Sequence, residues 1–217
     1  LKWRREVLQR DPVNWLEGPE TSARNALRQR GFSKNMMQRF FEPFFGGVFL
    51  ESDLDTSSRM LNYTFSMFTR GTASIPALGM QAIPNQLAST LPPGVVHLNR
   101  RVSAIEGQVV TLDDGSKQAA SAVIIATGGD VARRLQGRSV SDYQWKSSTT
   151  LYFDAPVAPD IGNHLVLNGV GRGPVNNLCV PSNLSPDIAP NGRHLISATV
   201  LLPDSELPDT ALFETAS

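Results

Sequence analysis

Apolar positions recur with a helical period through residues 1–94, and the period then switches to that of strands. Leu1 to Gln9 reads as a charged helix broken at Asp11-Pro12, because proline disfavours helix in the residue before it. Thr21 is positioned to cap a helix ending near Arg30, with Gly31 as its stop. Ser33 opens the next helix, with Met36, Met37, Phe40, Phe41 and Phe44 at helical spacing; Pro43 and Gly46-Gly47 are expected to end or kink it. Thr56 or Ser57 starts a helix carrying Met60, Leu61, Phe65 and Phe68 to Gly71, and a shorter one follows from Met80 to Leu91. The aromatic stripes fit ordinary core-facing surfaces better than a substrate tunnel.

Leu91-Pro92-Pro93-Gly94 punctuates the chain. Short β-type runs follow at Val95–Leu98, Val102–Ile105 and Gln108–Leu112, with Asp113-Asp114-Gly115 as an Asp-Gly hairpin turn. Val123-Ile124-Ile125-Ala126 is continuous apolar sequence, which predicts a strand covered on both faces. The reading is an antiparallel meander delivering the chain into a buried strand. A short helix is expected over Asp130–Leu135. Strands then recur at Thr149–Phe153, Leu165–Leu167, Asn177–Val180 and His194–Leu202, read as a mixed sheet packed on the first helices. The fold class is α+β, in three parts: 1–94, 95–135 and 136–217.

Composition narrows the function classes. The 217 residues are 41% hydrophobic and 18% charged with zero net charge, which fits a globular chain and gives no electrostatic footprint for nucleic acid. The one cysteine, Cys179, excludes an internal disulfide and reads as a packed thiol in a reducing compartment, so a cytoplasmic location is expected, with peripheral membrane association left open. No run approaches a membrane span and no secretory signal opens the sequence. His97, His164 and His194 have no metal-ligand spacing, and Glu51, Asp53 and Asp55 suit the N-terminus of the following helix better than a metal, so no metal is expected.

Three segments together resemble the flavin amine oxidase superfamily, which includes monoamine oxidases, protoporphyrinogen oxidases and phytoene desaturases. They are Ile75-Pro76-Ala77-Leu78-Gly79-Met80 with Ile83-Pro84 and Leu87-Ala88, then the meander with Val102, Ile105, Val110 and Asp114-Gly115, and then Ala122 to Gly128. Ala189-Pro190-Asn191-Gly192 before Leu195-Ile196-Ser197 has a similar look to the desaturase-like branch. The resemblance implies FAD as cofactor. It assigns residues 95–135 to an FAD-binding domain, residues 1–94 to the helical part of a substrate domain, and 136–217 to that domain's sheet. It also implies that the backbone of Val102 reads the adenine edge and that Ala126, Thr127 and Gly128 lie beside the dinucleotide, where small residues allow close approach.

The sequence departs from the family in two places. The G-x-G-x-x-G turn that holds the pyrophosphate is not found, nor is the family's closing FAD segment with its Gly-Asp pair; Gly169-Val170-Gly171-Arg172-Gly173 runs into Pro174 and reads as a loop. Many members place a lysine at the start of a substrate-domain strand near the flavin N5, where this sequence has Ser148, with Lys146 two residues earlier. The chain is therefore read as the central piece of a larger FAD-dependent oxidoreductase, inactive by itself and not expected to retain the cofactor. The parent would move hydride from a C–N or C–C bond of an organic, apolar small molecule to flavin; no catalytic residue is assigned. Arg24, Arg28 and Arg39 are candidates to meet an acidic substrate group, although an exposed helix face accounts for them. A homo-oligomer is compatible with this reading. The alternative is a non-catalytic domain that binds an apolar ligand or a protein on the same scaffold.

Overall fold

A computed structural model describes residues 2–139, 145–190, 192–201 and 214. The class is α+β, as expected. The chain divides into two compact units: residues 1–82 with 146–217, and residues 83–145. Leu1, Asn191 and Leu202 of the sequence reading lie outside the described residues.

In the first unit, α1 (Lys2–Leu8) is followed by a 3-10 turn, Pro12–Leu16, whose first turn is capped by the Asp11 carboxylate. Helix α2 (Ala23–Gln29) is capped by Ser22, not Thr21. The reason is local: the Thr21 carbonyl accepts the Ser58 N–H (2.7 Å) and the Thr56 carbonyl accepts the Ala23 N–H (2.7 Å). This stitch fixes the start of α2 beside that of α5 (Ser58–Arg70), which Ser57 caps.

Between them, α3 (Lys34–Met36), capped by Ser33, leads through a π turn, Met37–Phe41, into α4 (Glu42–Phe49). Pro43 and Gly46-Gly47 do not end this helix. The Glu42 N–H reaches back to the Met37 carbonyl, and the widened turn lets Pro43 sit at the first turn of α4, where its missing N–H costs little. The two glycines serve close packing instead. A Cβ on Gly46 would lie 2.7 Å from the Glu51 carbonyl oxygen, and one on Gly47 would lie 2.9 Å from Asn177 Nδ2. The helix stops at Leu50, in the left-handed region (φ 53°).

The core of this unit joins Trp3, Val7, Leu27, Met37, Phe41, Phe45, Leu54 and Leu61, with Trp3 stacked on Phe65 (centroids 3.7 Å). Its sheet has the order β4-β7-β6-β5, from β4 (Ser148–Ala155), β5 (Val166–Leu167), β6 (Val175–Cys179) and β7 (His194–Leu201). The sequence reading of a mixed sheet is corrected: every pair is antiparallel, because none of the connections is a long crossover of the kind a parallel pair requires. A four-residue helix, α8 (Pro181–Leu184), packs on β7.

In the second unit, which opens within α6 (Ala82–Ser89), a three-stranded antiparallel meander has the order β1-β2-β3, from β1 (Val102–Glu106), β2 (Val109–Leu112) and β3 (Lys117–Ala119). Gly107 (φ 59°) and Gly115 (φ 81°) take the left-handed turn positions. Two expected strands do not form. Val95–Leu98 has no ladder, and the third strand is Lys117–Ala119 instead. Val123–Ala126 forms no strand, and Ile124 is 91% exposed, because no strand among the described residues flanks it. Helix α7 (Gly129–Leu135) follows, close to its predicted bounds, and packs against β1. No helix among the described residues is long and apolar enough to cross a membrane.

Candidate functional site

Strand β1 is an edge of its sheet, and its pairing with β2 is interrupted at Ser103, between Val102 and Ala104. The Ser103 hydroxyl lies 3.1 Å from both the Thr111 and Leu112 carbonyls, within reach of either acceptor, and the Leu112 carbonyl also accepts the Gly115 N–H (3.1 Å). Just before it, the Arg101 carbonyl accepts the Asp113 N–H (3.0 Å) and so points at β2. In a trans peptide the C=O and the following N–H point in opposite directions, so the Val102 N–H points to the open edge of the sheet.

Strand β1 contributes to the lining of an open groove of about 940 Å³ within the second unit. Val102, Ile105 and Val110 of the meander line it, with the irregular segment 123–127 and with Val131 and Leu135 of α7. Val102, Ala126 and Thr127, singled out in the sequence, therefore share one groove. Gly128 lies one residue beyond it, as the N-cap of α7, where a Cβ would stand 3.7 Å from the Trp145 ring.

The polar part of the groove was not legible as a site. Arg100, Arg101, Arg134 and Asp113 line it, and the available signal was the Arg100-Arg101 pair directly before the strand. Arg100 pairs with Asp114 (3.0 Å) and Arg134 with Asp130 (3.1 Å). Asp114 is held below the usual carboxylate range, first by the Ser116 hydroxyl and N–H and further by Arg100. An outward N–H, small side chains and guanidinium groups suit a ligand with hydrogen-bonding edges and negative charge.

Other candidates sit in the first unit. Ser148 begins β4, and the Lys146 ammonium two residues earlier is engaged by the Glu51 carboxylate, with the Thr56 hydroxyl at 3.5 Å. Glu51 thus belongs to this ion pair and to the start of α5, where it accepts the Thr56 N–H (2.7 Å). Arg24 is occupied by Glu42 (2.7 Å) and by the Ser52 and Asp53 carbonyls. The Gly169–Gly173 segment is a hairpin loop, as read; Gly169 packs so closely on the helix that a Cβ would lie 2.9 Å from the Arg39 backbone. Burial on β6 pushes the Cys179 thiol up, which leaves it a poor nucleophile. No group of His, Cys, Asp and Glu able to hold a metal occurs among the described residues.

The sequence of this α+β chain matches the profile of the flavin-containing amine oxidoreductases over residues 5–215. The chain belongs to that family. No curated protein matches the sequence. Solved structures share its fold. A protein of Pyrococcus furiosus superposes with a TM-score of 0.76 at 19% identity, over 98% of this chain and 56% of its own. An oxidoreductase from Methanosarcina mazei does so at 0.76 and 18%, over 94% and 53%. A reduced UDP-galactopyranose mutase gives 0.67 and 15%, over 99% and 55%. The chain thus spans about half the length of these proteins.

Proposed function

We propose that this chain is part of an FAD-dependent oxidoreductase in which residues 95–135 hold the adenosine end of the cofactor and the first unit belongs to a substrate domain. The observation that carries the proposal is the convergence of Val102, Ala126 and Thr127 on one groove, with the Val102 N–H on an open strand edge. A strand edge offers a donor and an acceptor at fixed spacing, which matches the hydrogen-bonding edge of adenine whatever the side chain. Gly128 extends the small-residue approach towards α7. Arg101, which forms no ion pair among the described residues, supplies positive charge at the groove.

FAD, when bound, supplies a hydride acceptor at N5; the substrate would be an organic molecule losing hydride from a C–N or C–C bond. Lys146, tied to Glu51 and displaced from the strand position that Ser148 fills, favours the desaturase-like branch over simple amines. A cytoplasmic location and a homo-oligomer belong to the same proposal.

The visible spectrum of the gene product, purified from its own host, tests this reading. Flavin bands that bleach with a polyene or an amine are expected. The Val102→Pro variant, which lacks the N–H, should lose the bands, and Val102→Ala should keep them. A colourless protein that stays colourless with added FAD would leave the non-catalytic binding domain as the better reading.

A further inference from the structure

Two arginine–aspartate rungs stand where the meander of the second unit opens, and only one of them is closed. Arg100 reaches Asp114 (3.0 Å). Arg101 stands opposite Asp113, whose N–H donates to the Arg101 carbonyl (3.0 Å). No hydrogen bond or ion pair joins the side chains of this second rung, and the Arg101 guanidinium has no partner among the described residues. Both residues of the open rung line the groove, together with Val102, and Arg101 is exposed.

The strand geometry narrows what that guanidinium can meet. A group read by the outward Val102 N–H lies at the open edge of the sheet, in the plane of its hydrogen bonds. Side chains along a strand stand out of that plane and alternate between its two faces. Val102 therefore flanks such a group on one side and Arg101 on the other. Ser103, whose hydroxyl lies 3.1 Å from the Thr111 and Leu112 carbonyls, is turned back on β2 and leaves Arg101 to cover its side. A flat ring held by its edge on Val102 would thus lie between an apolar side chain and a guanidinium. A guanidinium stacks through its face and donates through its edge, so Asp113 can hold the edge while a ring takes the face. A phosphate in the same place fits less well, since it has no face to stack and would meet the Asp113 carboxylate as a like charge.

We propose that Arg101 determines the base specificity of the groove, its guanidinium lying on the adenine ring whose edge the Val102 backbone reads. The inference rests on the proposal that this groove takes the adenosine end of FAD, and it adds the contact that separates FAD from a flavin without a purine.

Titration of the gene product, freed of flavin, with FAD and with FMN tests it; the readout is the ratio of the two dissociation constants. FMN carries the flavin and a phosphate but no adenine. The native protein should prefer FAD. Arg101→Lys keeps the charge and loses the plane, so it should weaken FAD binding about tenfold and leave FMN binding unchanged. Arg101→Tyr supplies a flat surface without charge and should regain most of that loss. Circular dichroism should match the native protein in both variants, because Arg101 is exposed and holds no side chain in place. Full FAD affinity in Arg101→Lys with a loss in Arg101→Tyr would assign Arg101 to phosphate. Equal losses for FAD and FMN would assign it to the shape of the fold, and no loss in either variant would leave it no role at all. Each of these three results overturns the inference and leaves the cofactor reading standing. A native protein that binds FAD no more tightly than FMN would overturn the cofactor reading, and the inference with it.

Discussion

The two compact units hold their shape in different ways. In the first, Phe45, Leu27, Leu54, Leu61 and Val7 are almost wholly removed from water, and rings stack through Trp3, Phe65, Phe41 and Phe45. In residues 83–145, Leu112 is the only large apolar side chain buried among the described residues, while Leu87, Leu98 and Ile124 stand well exposed. The first unit is therefore fixed by close packing, which is sensitive to volume. The second is fixed by ladder hydrogen bonds, glycine turns and surface ion pairs, each of which contributes little by itself. Its candidate groove rests on backbone geometry more than on a core.

The sharpest way to break this contrast is truncation. Phe45→Ala should destabilise the first unit by about 3–5 kcal/mol, through lost burial plus the cavity left behind. Leu112→Ala should cost about 1–2 kcal/mol and act on the second unit. Urea unfolding followed by tryptophan fluorescence reads the first unit through Trp3 and Trp15 and the second through Trp145. Equal effects of the two substitutions would refute a difference in core.

Native-state amide exchange sharpens it further. The amides of β1, β2 and β3 should exchange about a hundredfold faster than those at the centre of β7, which is paired on both sides by β4 and β6. Uniform protection across both sheets would mean that the units open together.

Glycines separate packing from conformation. Gly46→Ala forces a methyl group to within 2.7 Å of a backbone oxygen, an overpacking expected to cost about 1–3 kcal/mol. Gly115→Ala meets open space, so its cost, about 1–2 kcal/mol, comes from the positive φ alone. A compensating shift of Glu51 would relieve Gly46→Ala, whereas nothing nearby would relieve Gly115→Ala. Thermal unfolding of the two variants checks both.

The same contrast explains what the sequence shows in advance. Helices with a serine cap and a core-facing stripe were legible to within a residue or two, because cap and period are both local: Ser33, Ser57 and Gly31 are examples. The hairpin turn at Gly115 was equally local. Pro43 and Gly46-Gly47 misled, since a π turn and the approach of β6 are tertiary events that no window of sequence contains. Val123–Ala126 misled for the opposite reason: four consecutive apolar residues state what a segment requires, not whether strands beside it supply it. At the groove, Val102, Ala126 and Thr127 came from a family resemblance, while the arginines came only from the fold.

The smallest expected effect concerns the two carboxylates whose ionisation the structure perturbs. Asp114 is exposed and is held by its own turn, so its substitution should leave the first unit untouched. Glu51 differs, because its partners come from separate parts of the chain. Burial pushes its carboxyl up, but the Lys146 ammonium together with the Thr56 N–H and hydroxyl outweighs that and leaves it below the usual carboxylate range. A carboxyl depressed in the folded state contributes stability that is fully present above its unfolded value, about 4.3, and lost as pH falls through the folded value. Because Lys146 is about half exposed, the pair should contribute no more than about 1 kcal/mol. Glu51→Gln can still accept the Thr56 N–H but removes the charge, so it should unfold earlier than the native chain at neutral pH, and the gap should close at acid pH. Lys146→Gln should instead move the acid transition upward, since Glu51 then stays desolvated without its cation. Thermal midpoints measured across that range decide the matter, and a gap independent of pH would show that Glu51 acts only as a hydrogen-bond acceptor for the start of α5.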